Sequence, residues 1–342
     1  MASIIKLFII IILFISNSIA EDNNIKHYSE DMGTLAIMYH RFNENKYPST
    51  NIQIDVFQNQ IKIINQFNFK FLDPGNFQKN FAIPKKEKKI LLTIDDAFLS
   101  FYEHAWPLLK KDKIPFILFV STEAVGKFGY MSWKQIKEIE KENFAYIGNH
   151  SHTHEYLVDL KKNDFLQDLE KANKIFIEEL GYNPKFFSYP FGEYNEFIKD
   201  YISKNFDFAF GQHSGVIDIN KNKYELPRFP INEKYGDLAR FKFLVNLYPL
   251  QFKSMSPKNK MVENKNNPPN FSVEFFKVQK NLRNINCYSD EGNKWMKSNI
   301  FFKDNILFIK FRDKFLFRRG RVNCSLNDDG VWRWFGIQFS IK

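Results

Sequence analysis

Two short segments of this chain contain side chains that could together form a hydrolytic metal site. Asp95 and Asp96 are adjacent and follow an apolar segment, residues 90–94. His150 and His154 lie four residues apart, just after another strand-like segment. One carboxylate and two imidazoles can bind a divalent metal, and a second carboxylate can take a proton from the water that the metal activates. The combination indicates a metal-dependent hydrolase.

The segments that must position these residues alternate between strand and helix patterns from residue 33 to about residue 230. Predicted strands cover residues 35–39, 90–94, 115–120, 146–148, 186–189 and 206–210. Predicted helices cover residues 55–67, 104–111, 133–142, 164–180 and 196–205. Repeated alternation of this kind predicts an α/β fold with a parallel sheet that is closed, or nearly closed, into a barrel.

Polar and turn residues follow five of the predicted strands. In α/β barrels the chemistry gathers at the C-terminal ends of the strands. The residues that fall there are His40, Asp95, Asp96, His150, His154, Pro190, Phe191, Gly192 and His213. We therefore expect them to lie at one end of the barrel.

The character of the chain changes after residue 250. Residues 251–270 are rich in Lys, Asn and Pro and are interpreted as a linker between a barrel domain, residues 21–250, and a C-terminal domain, residues 271–342. Strand patterns at residues 271–278, 300–302, 306–311, 319–324 and 332–341 predict a small β-sandwich. Its aromatic residues could be a sugar-stacking platform or ordinary core; they are Trp332, Trp334 and Phe335.

The N-terminus has the pattern of a secretory signal peptide. Residues 1–6 are short and basic, residues 7–15 are apolar, and small residues stand at Ser18 and Ala20. We expect cleavage before Glu21 and a secreted or periplasmic protein with no membrane span, with an uncleaved anchor as the alternative. In such an oxidising compartment Cys287 and Cys324 are expected to form a disulfide.

The chain is basic, but its sequence does not indicate a nucleic-acid partner. The formal net charge is +10, from 49 Lys and Arg against 39 Asp and Glu. An anionic partner would fit that charge. The acidic residues are nevertheless interspersed, and abundant Lys, Asn, Ile and Phe are typical of AT-rich coding. With no segment resembling a nucleic-acid-binding module, the basic balance is interpreted as compositional.

Over residues 33–232 the chain resembles the polysaccharide deacetylases of carbohydrate esterase family 4, the NodB-homology group. Residues 93–97 (Thr-Ile-Asp-Asp-Ala) are similar to that family's Thr-Phe-Asp-Asp-Gly motif. Residues 150–154 (His-Ser-His-Thr-His) are similar to its His-Ser/Thr-x-x-His motif, and residues 189–192 (Tyr-Pro-Phe-Gly) to the core of Arg-x-Pro-Tyr-Gly. Residues 38–40 (Met-Tyr-His) resemble the exported branch that acts on poly-N-acetylglucosamine. The resemblance implies a distorted (β/α)7-type barrel followed here by the β-sandwich.

The resemblance also implies a role for each residue. Asp96, His150 and His154 would bind one divalent metal, expected to be Zn²⁺, with Co²⁺ or Ni²⁺ as alternatives. Asp95 would be the general base, and the backbone N–H of Phe191, in the Tyr189-Pro190-Phe191 segment, would stabilise the oxyanion. A histidine must protonate the departing amine, and the candidates are His40 first and His213 second.

Two departures from the family pattern bear on the site. Ala97 replaces the usual Gly, so the turn after the carboxylates must use negative φ or tolerate strain. Ser188 stands where many members carry an Arg that orients the catalytic Asp.

The function expected from the sequence is an exported, metal-dependent N-deacetylase acting on an acetylated polysaccharide such as an exopolysaccharide or a cell-wall glycan. An O-acetyl esterase acting on a glycan is the alternative enzyme, and a non-catalytic glycan-binding protein with a degenerate barrel is the alternative class. A glycosidase that uses Asp95 and Asp96 is disfavoured, because adjacent residues cannot easily straddle a glycosidic bond.

Overall fold

The computed structural model describes residues 31–276, 280–292 and 294–342. The helices are α1 (Ile54–Gln66), α2 (Phe77–Phe81), α3 (Trp106–Asp112), α4 (Trp133–Glu140), α5 (Lys162–Leu180), α6 (Glu196–Asn205) and α7 (Leu238–Val245). The strands up to residue 249 are β1 (Thr34–Tyr39), β2 (Arg41–Phe42), β3 (Asn51–Ile52), β4 (Lys70–Phe71), β5 (Lys89–Ile94), β6 (Phe116–Val120), β7 (Ala145–Asn149), β8 (Phe186–Ser188), β9 (Phe208–Phe210), β10 (Phe229–Pro230) and β11 (Tyr248–Pro249). Those that follow are β12 (Ser254–Ser256), β13 (Met261–Val262), β14 (Phe271–Glu274), β15 (Asn286–Ser289), β16 (Met296–Lys297), β17 (Asn299–Lys303), β18 (Ile306–Lys310), β19 (Arg319–Asp328) and β20 (Val331–Ile341).

The first domain is a parallel sheet with strand order β10-β1-β5-β6-β7-β8-β9, and β4 also pairs with β5. All of these pairings are parallel. The sheet forms a half-barrel with helices in the crossovers between its strands. This confirms the predicted α/β barrel class.

Side-chain alternation along the strands divides the barrel into two apolar layers. Ile90, Leu92 and Ile94 of β5 point outward into the core shared with the helices. Leu91, between them, joins an inner cluster with Ile117 and aromatic residues of β6, β8 and β9. Because side chains alternate with a period of two, the next inward positions on β5 are residues 93 and 95. The barrel interior is thus apolar along its length and polar at the C-terminal end of its strands.

The second domain is a β-sandwich, as the strand patterns predicted. One sheet has the order β11-β20-β19-β15-β16, with β13 also paired to β20, and the other has the order β12-β14-β18-β17. Apolar residues from both sheets form a single core. Cys287 and Cys324 are directly opposite each other on β15 and β19 and form the predicted disulfide.

The segment expected to be a linker, residues 251–270, differs from that expectation. It contributes β12, which pairs antiparallel with β14, and β13, which pairs parallel with β20. Each is an edge strand of two or three residues, so its conformation is fixed by the strand beside it rather than by its own sequence. The segment is therefore part of the sandwich.

The three aromatic residues considered for sugar stacking lie in three different environments. Phe335 is buried in the sandwich core. Trp334 packs against Phe229 of the barrel, with its indole N–H donating to Ser214 Oγ at 2.9 Å. Trp332 is partly exposed and contacts Phe243. Phe335 points to the opposite face of β20 from the two tryptophans, and each tryptophan packs against an aromatic residue of the first domain. The three residues therefore do not form one exposed stacking surface.

The segment interpreted as a signal peptide, residues 1–20, lies outside the described residues. None of the helices described above combines the length and the apolar character that a bilayer crossing requires.

Candidate active site

The two carboxylates are brought to one site by a turn directly after β5. Asp95 continues the inward-facing alternation of the strand and is fully buried. Asp96 and Ala97 then adopt positive φ, at +74° and +54°. This turn redirects the chain, so that both carboxylates face His150 instead of opposite sides of the sheet. The sequence left two possibilities for Ala97, a negative φ or a strained positive one. The structure shows the strained form, a left-handed conformation at a non-glycine residue.

The histidine-bearing loop that follows β7 is held by side chains on either side of it. Asn149 Oδ1 accepts from the N–H of Ser151, whose Oγ accepts from the N–H of His154 at 3.1 Å. Asp168, on the buried face of α5, accepts from the N–H groups of His152 and Thr153, both at 2.9 Å. The loop is therefore fixed by hydrogen bonds rather than by helical structure. Asp168 was not predicted, although its place on the apolar stripe with Phe165 and Leu169 was a readable signal.

Asp96, His150 and His154 form a cluster that could hold a metal. One ligand atom from each lies within 4.8 Å of the others. Asp96 Oδ1 is 3.5 Å from His150 Nε2 and 3.2 Å from His154 Nε2. The fit is supported by the His150 ring, whose Nδ1 is 2.7 Å from the carbonyl oxygen of Ser188. A carbonyl only accepts, so Nδ1 carries the proton.

That tautomer leaves the lone pair of His150 on Nε2, which is buried and has no hydrogen-bond partner among the described residues. A buried imidazole lone pair that faces a second imidazole and a carboxylate is the donor arrangement that suits Zn²⁺. The Ser188 carbonyl is the kind of outer partner that orients a ligating histidine.

Asp95 is paired with a residue that the sequence did not reveal, Arg228. Its Nη1 and Nη2 donate to the two oxygens of Asp95 at 2.7 and 2.9 Å, and both residues are fully buried. Nη2 also donates to Ser188 Oγ at 2.8 Å. Arg228, which directly precedes β10, thus supplies the guanidinium that many family members carry at the position of Ser188 on β8. The only local signal was an Arg between apolar and Pro residues at positions 226–230.

These contacts set the protonation states at the site. Burial alone would raise the pKa of Asp95, but Arg228, together with His150 and His40, outweighs it and holds that pKa well below its usual range. Burial lowers the pKa of His150 to about 4, so its imidazole is neutral near pH 7. The site therefore offers an ionised carboxylate, that of Asp95, beside a neutral imidazole that is able to bind a metal.

The two candidates for the general acid occupy different places. His40 is partly buried, with Nε2 at 4.0 Å from Asp95 Oδ2. His213 instead lines a cavity of about 480 Å³ between the barrel and the sandwich, facing Lys221 and Lys260. Burial and these lysines lower its pKa to about 3. Only His40 lies beside the carboxylate cluster.

In the segment of residues 189–192, Phe191 is the residue that faces the site. Tyr189 and Pro190 are buried, and the hydroxyl of Tyr189 donates to the Tyr224 carbonyl at 2.9 Å in the barrel's outer core. Phe191 has a φ of +59°, and its ring centroid is 4.7 Å from that of His154. The turn therefore carries the side chain of Phe191 to the edge of the cluster formed by Asp96, His150 and His154.

Comparison with known proteins gives the family that the chain resembles. Residues 82–208 match the family model described as polysaccharide deacetylase. A poly-β-1,6-N-acetyl-D-glucosamine N-deacetylase of Staphylococcus aureus (strain MSSA476) is 27% identical over 250 residues, which cover 63% of this chain and 84% of that protein. The chain is thus similar to the polysaccharide deacetylases over the region that holds both carboxylates and both histidines of the site. The resemblance and the enzyme class predicted from the motifs are confirmed, because the homologues are polysaccharide N-deacetylases, which are hydrolases of carbon–nitrogen bonds.

Solved structures of deacetylases share the fold of the first domain. The structure of IcaB from Ammonifex degensii has a TM-score of 0.57 and 26% identity, covering 62% of this chain and 97% of that one. A Streptococcus pyogenes deacetylase, PplD, has a TM-score of 0.54 with 21% identity over 59% of this chain and 94% of that one, which shows the shared fold. The matched family model ends at residue 208, before the β-sandwich of this protein begins.

Proposed function

We propose that this protein is an exported, metal-dependent N-deacetylase of N-acetylhexosamine polymers. The observation that carries the proposal is the pairing of an ionised, buried Asp95 with an adjacent cluster of Asp96, His150 and His154. Binding alone would need no base beside a metal. The assignment agrees with the substrate named for the Staphylococcus aureus relative.

In this proposal Asp96, His150 and His154 hold one divalent ion, expected to be Zn²⁺. The ion would supply Lewis acidity toward a water molecule and the acetyl carbonyl. Asp95, held ionised by Arg228, accepts the proton of the attacking water. Its pairing with Arg228 also fixes the direction from which it receives that proton.

The remaining steps use groups at the rim of the site. The backbone N–H of Phe191 donates to the oxyanion that develops on the acetyl carbon. His40, whose Nε2 faces Asp95, gives a proton to the nitrogen of the departing amine. The products are acetate and a free amine on the sugar, which is cationic near neutral pH.

The proposed location outside the cytoplasm rests on two observations. The first is the basic and apolar pattern of residues 1–20. The second is the Cys287–Cys324 disulfide, a bond that persists in oxidising compartments. A polymeric glycan substrate is consistent with such a location.

The test is acetate release from N-acetylglucosamine oligomers, β-1,6- and β-1,4-linked, by purified protein freed of metal with a chelator and then given Zn²⁺ or Co²⁺. We expect activity that depends on added metal and falls at least ~10³-fold in Asp95→Asn. His150→Ala should lose both activity and metal, whereas His104→Ala, a histidine of the π-helical turn before α3, should keep both.

Failure would take distinct forms. Release only from O-acetylated glycans would replace the proposal with an esterase. Binding of oligomers without metal and without release from either class of substrate would replace it with a glycan-binding protein.

A further inference from the structure

The β-sandwich contacts the barrel at the turn that carries Phe191. The side-chain amide of Gln338, on β20, donates to the carbonyl of Phe191 at 3.0 Å and to that of Gly192 at 3.3 Å. Gln338 is only 8% exposed. The other side of the turn is closed by Gln212, whose backbone N would lie 2.5 Å from a Cβ added at Gly192. The turn is thus enclosed between one residue of the barrel and one of the sandwich.

A second contact from the sandwich reaches the residue that follows this turn. Arg318, just before β19, donates from Nε to both oxygens of Glu193 at 3.1 and 3.0 Å, and its Nη2 is 2.9 Å from Oε2. Glu193 is 1% exposed, so its carboxylate depends on this partner. Arg318 Nη1 also lies 2.7 Å from Asp159 Oδ2, in the loop after the metal-ligand histidines. One side chain therefore ties together the two loops that border the site.

The same guanidinium begins a column of stacked groups that ends at a metal ligand. It lies 3.7 Å above the ring of Tyr156. Tyr156 is stacked on Phe191, with centroids 3.9 Å apart and planes inclined by 18°. Phe191 in turn contacts the ring of His154. Contact is continuous from the sandwich to the imidazole of His154.

The turn has a physical need for such support. Phe191 and Gly192 are both left-handed, with φ of +59° and +70°. A left-handed bulky residue is strained and persists only where surrounding contacts fix it. An oxyanion donor, moreover, contributes only when its N–H is held in position, because small misplacements cost rate.

We propose that the β-sandwich completes the deacetylase site, with Gln338 and Arg318 as positioning residues for the Phe191 turn and, through Tyr156, for His154. This inference rests on the proposed function for its catalytic consequence. It assigns to the sandwich a role in the geometry of the site.

Kinetics with matched variants test the proposal. Gln338→Ala removes both hydrogen bonds, and Gln338→Glu keeps the shape but replaces the donor with an acceptor. We expect kcat for acetate release to fall about 10- to 100-fold in both, with a smaller change in KM. Arg318→Ala should act similarly and Arg318→Lys, which keeps the charge but loses the fork, should lie between it and the wild type. Lys310→Ala, exposed on β18, is the control and should change nothing.

Amide hydrogen exchange gives a second readout that needs no substrate. In the metal-loaded protein, the peptide containing Phe191 and Gly192 should exchange faster in Gln338→Ala, while zinc content stays at the wild-type level. Unfolding midpoints measured in parallel identify any loss of fold.

The outcomes separate the inference from the proposed function. Wild-type kcat in folded Gln338→Ala and Arg318→Ala would overturn the inference and leave the function standing. Wild-type protein with no deacetylase activity would remove the function, and exchange at the Phe191 turn would then decide the positioning role. Unchanged exchange would overturn that role too.

Discussion

The site end of the barrel and the core of the β-sandwich are stabilised in opposite ways. At the site end, buried charges are paired across the sheet, and several residues hold left-handed backbone: Asp96, Ala97, Ser151, His154 and Phe191. In the sandwich, β19 and β20 pair over ten consecutive residues with regularly alternating burial on β19, and a disulfide joins β19 to β15. The first region concentrates left-handed backbone and buried charge around one site. The second has long paired strands, a shared apolar core and a disulfide, with its buried carboxylates Asp290 and Glu291 paired to arginines.

The contrast shows that the conformation of the site depends on the residues packed around it. Strained backbone and buried ions persist only where surrounding contacts over-determine them. Substitutions around the site should therefore change stability and chemistry together. Substitutions in the apolar core of the sandwich, away from Gln338 and Arg318, should change stability alone.

The largest expected effect is at Arg228. Arg228→Met leaves the Asp95 carboxylate buried without its partner, so we expect the free energy of unfolding to fall by about 3–5 kcal/mol. Arg228→Lys, which keeps the charge without the bidentate geometry, should lose less. Chemical denaturation of the three proteins measures this. If Arg228→Met were as stable as the wild type, the Arg228–Asp95 pair would contribute little to the free energy of unfolding.

Arg228 also sets the pH response. It holds the pKa of Asp95 below its usual range against the burial that would raise it. The stability from this group is thus present above about pH 4, the unfolded value, and is lost as pH falls toward the folded pKa. In Arg228→Met the pKa rises, so the acidic limb of kcat/KM should move to higher pH. A limb that stays in place would mean that Asp95 is not the group that titrates.

Removing the disulfide is the matching test in the sandwich. Cys287 and Cys324 close a loop with a sequence separation of 37. Replacing both by Ser should lower stability by roughly 3–4 kcal/mol. The value of kcat, measured well below the unfolding transition, should stay at the wild-type level. A lower kcat in the folded variant would show that the sandwich core, as well as its contacts through Gln338 and Arg318, affects the site.

Asp168 should show both effects at a smaller scale. Asp168→Asn weakens the charge-assisted bonds to residues 152 and 153, at a cost of about 1.5–3 kcal/mol. Because the loop carries two of the metal-ligand candidates, zinc affinity should fall about 10- to 100-fold. Competition with a chromophoric chelator measures the affinity. Asp164→Asn, exposed on the first turn of the same helix, is the control and should bind zinc normally.

The smallest expected change in stability comes from replacing left-handed residues by glycine, at two positions that can be compared. Lys113 is exposed with a φ of +49°, and Lys113→Gly should add about 1 kcal/mol of stability by relieving strain. Ala97→Gly relieves the same strain but loses a buried methyl group, worth about 0.8 kcal/mol, so its net change should be smaller. Thermal unfolding compares the two. An equal gain in both would mean that the packing of Ala97 contributes little.

The sequence predicted the features that repeat or that lie within a few residues of each other. Strand and helix alternation gave the barrel class, since each element has its own periodicity. Asp95, Asp96, His150 and His154 were found because each motif is local and ends a strand. Cys287 and Cys324 could be paired because no other cysteine is present in the chain.

Features that depend on distant partners were missed. Arg228 pairs with Asp95 across 133 residues, and nothing near either one reports the contact. The strands inside residues 251–270 exist only because β14 and β20 offer edges to them. His213 follows a strand like the other candidates, but the direction of its side chain is a tertiary property.

The contact between Gln338 and the Phe191 turn has a consequence for the order in which the protein matures. The two partners are 147 residues apart, so the turn is synthesised long before the strand that supports it. Contacts of such separation form late, after local elements and their near neighbours. The barrel could gather its metal-ligand residues while the sandwich is still unmade. On the proposed arrangement, catalytic competence would then be the last property the chain acquires, arriving only when β20 docks.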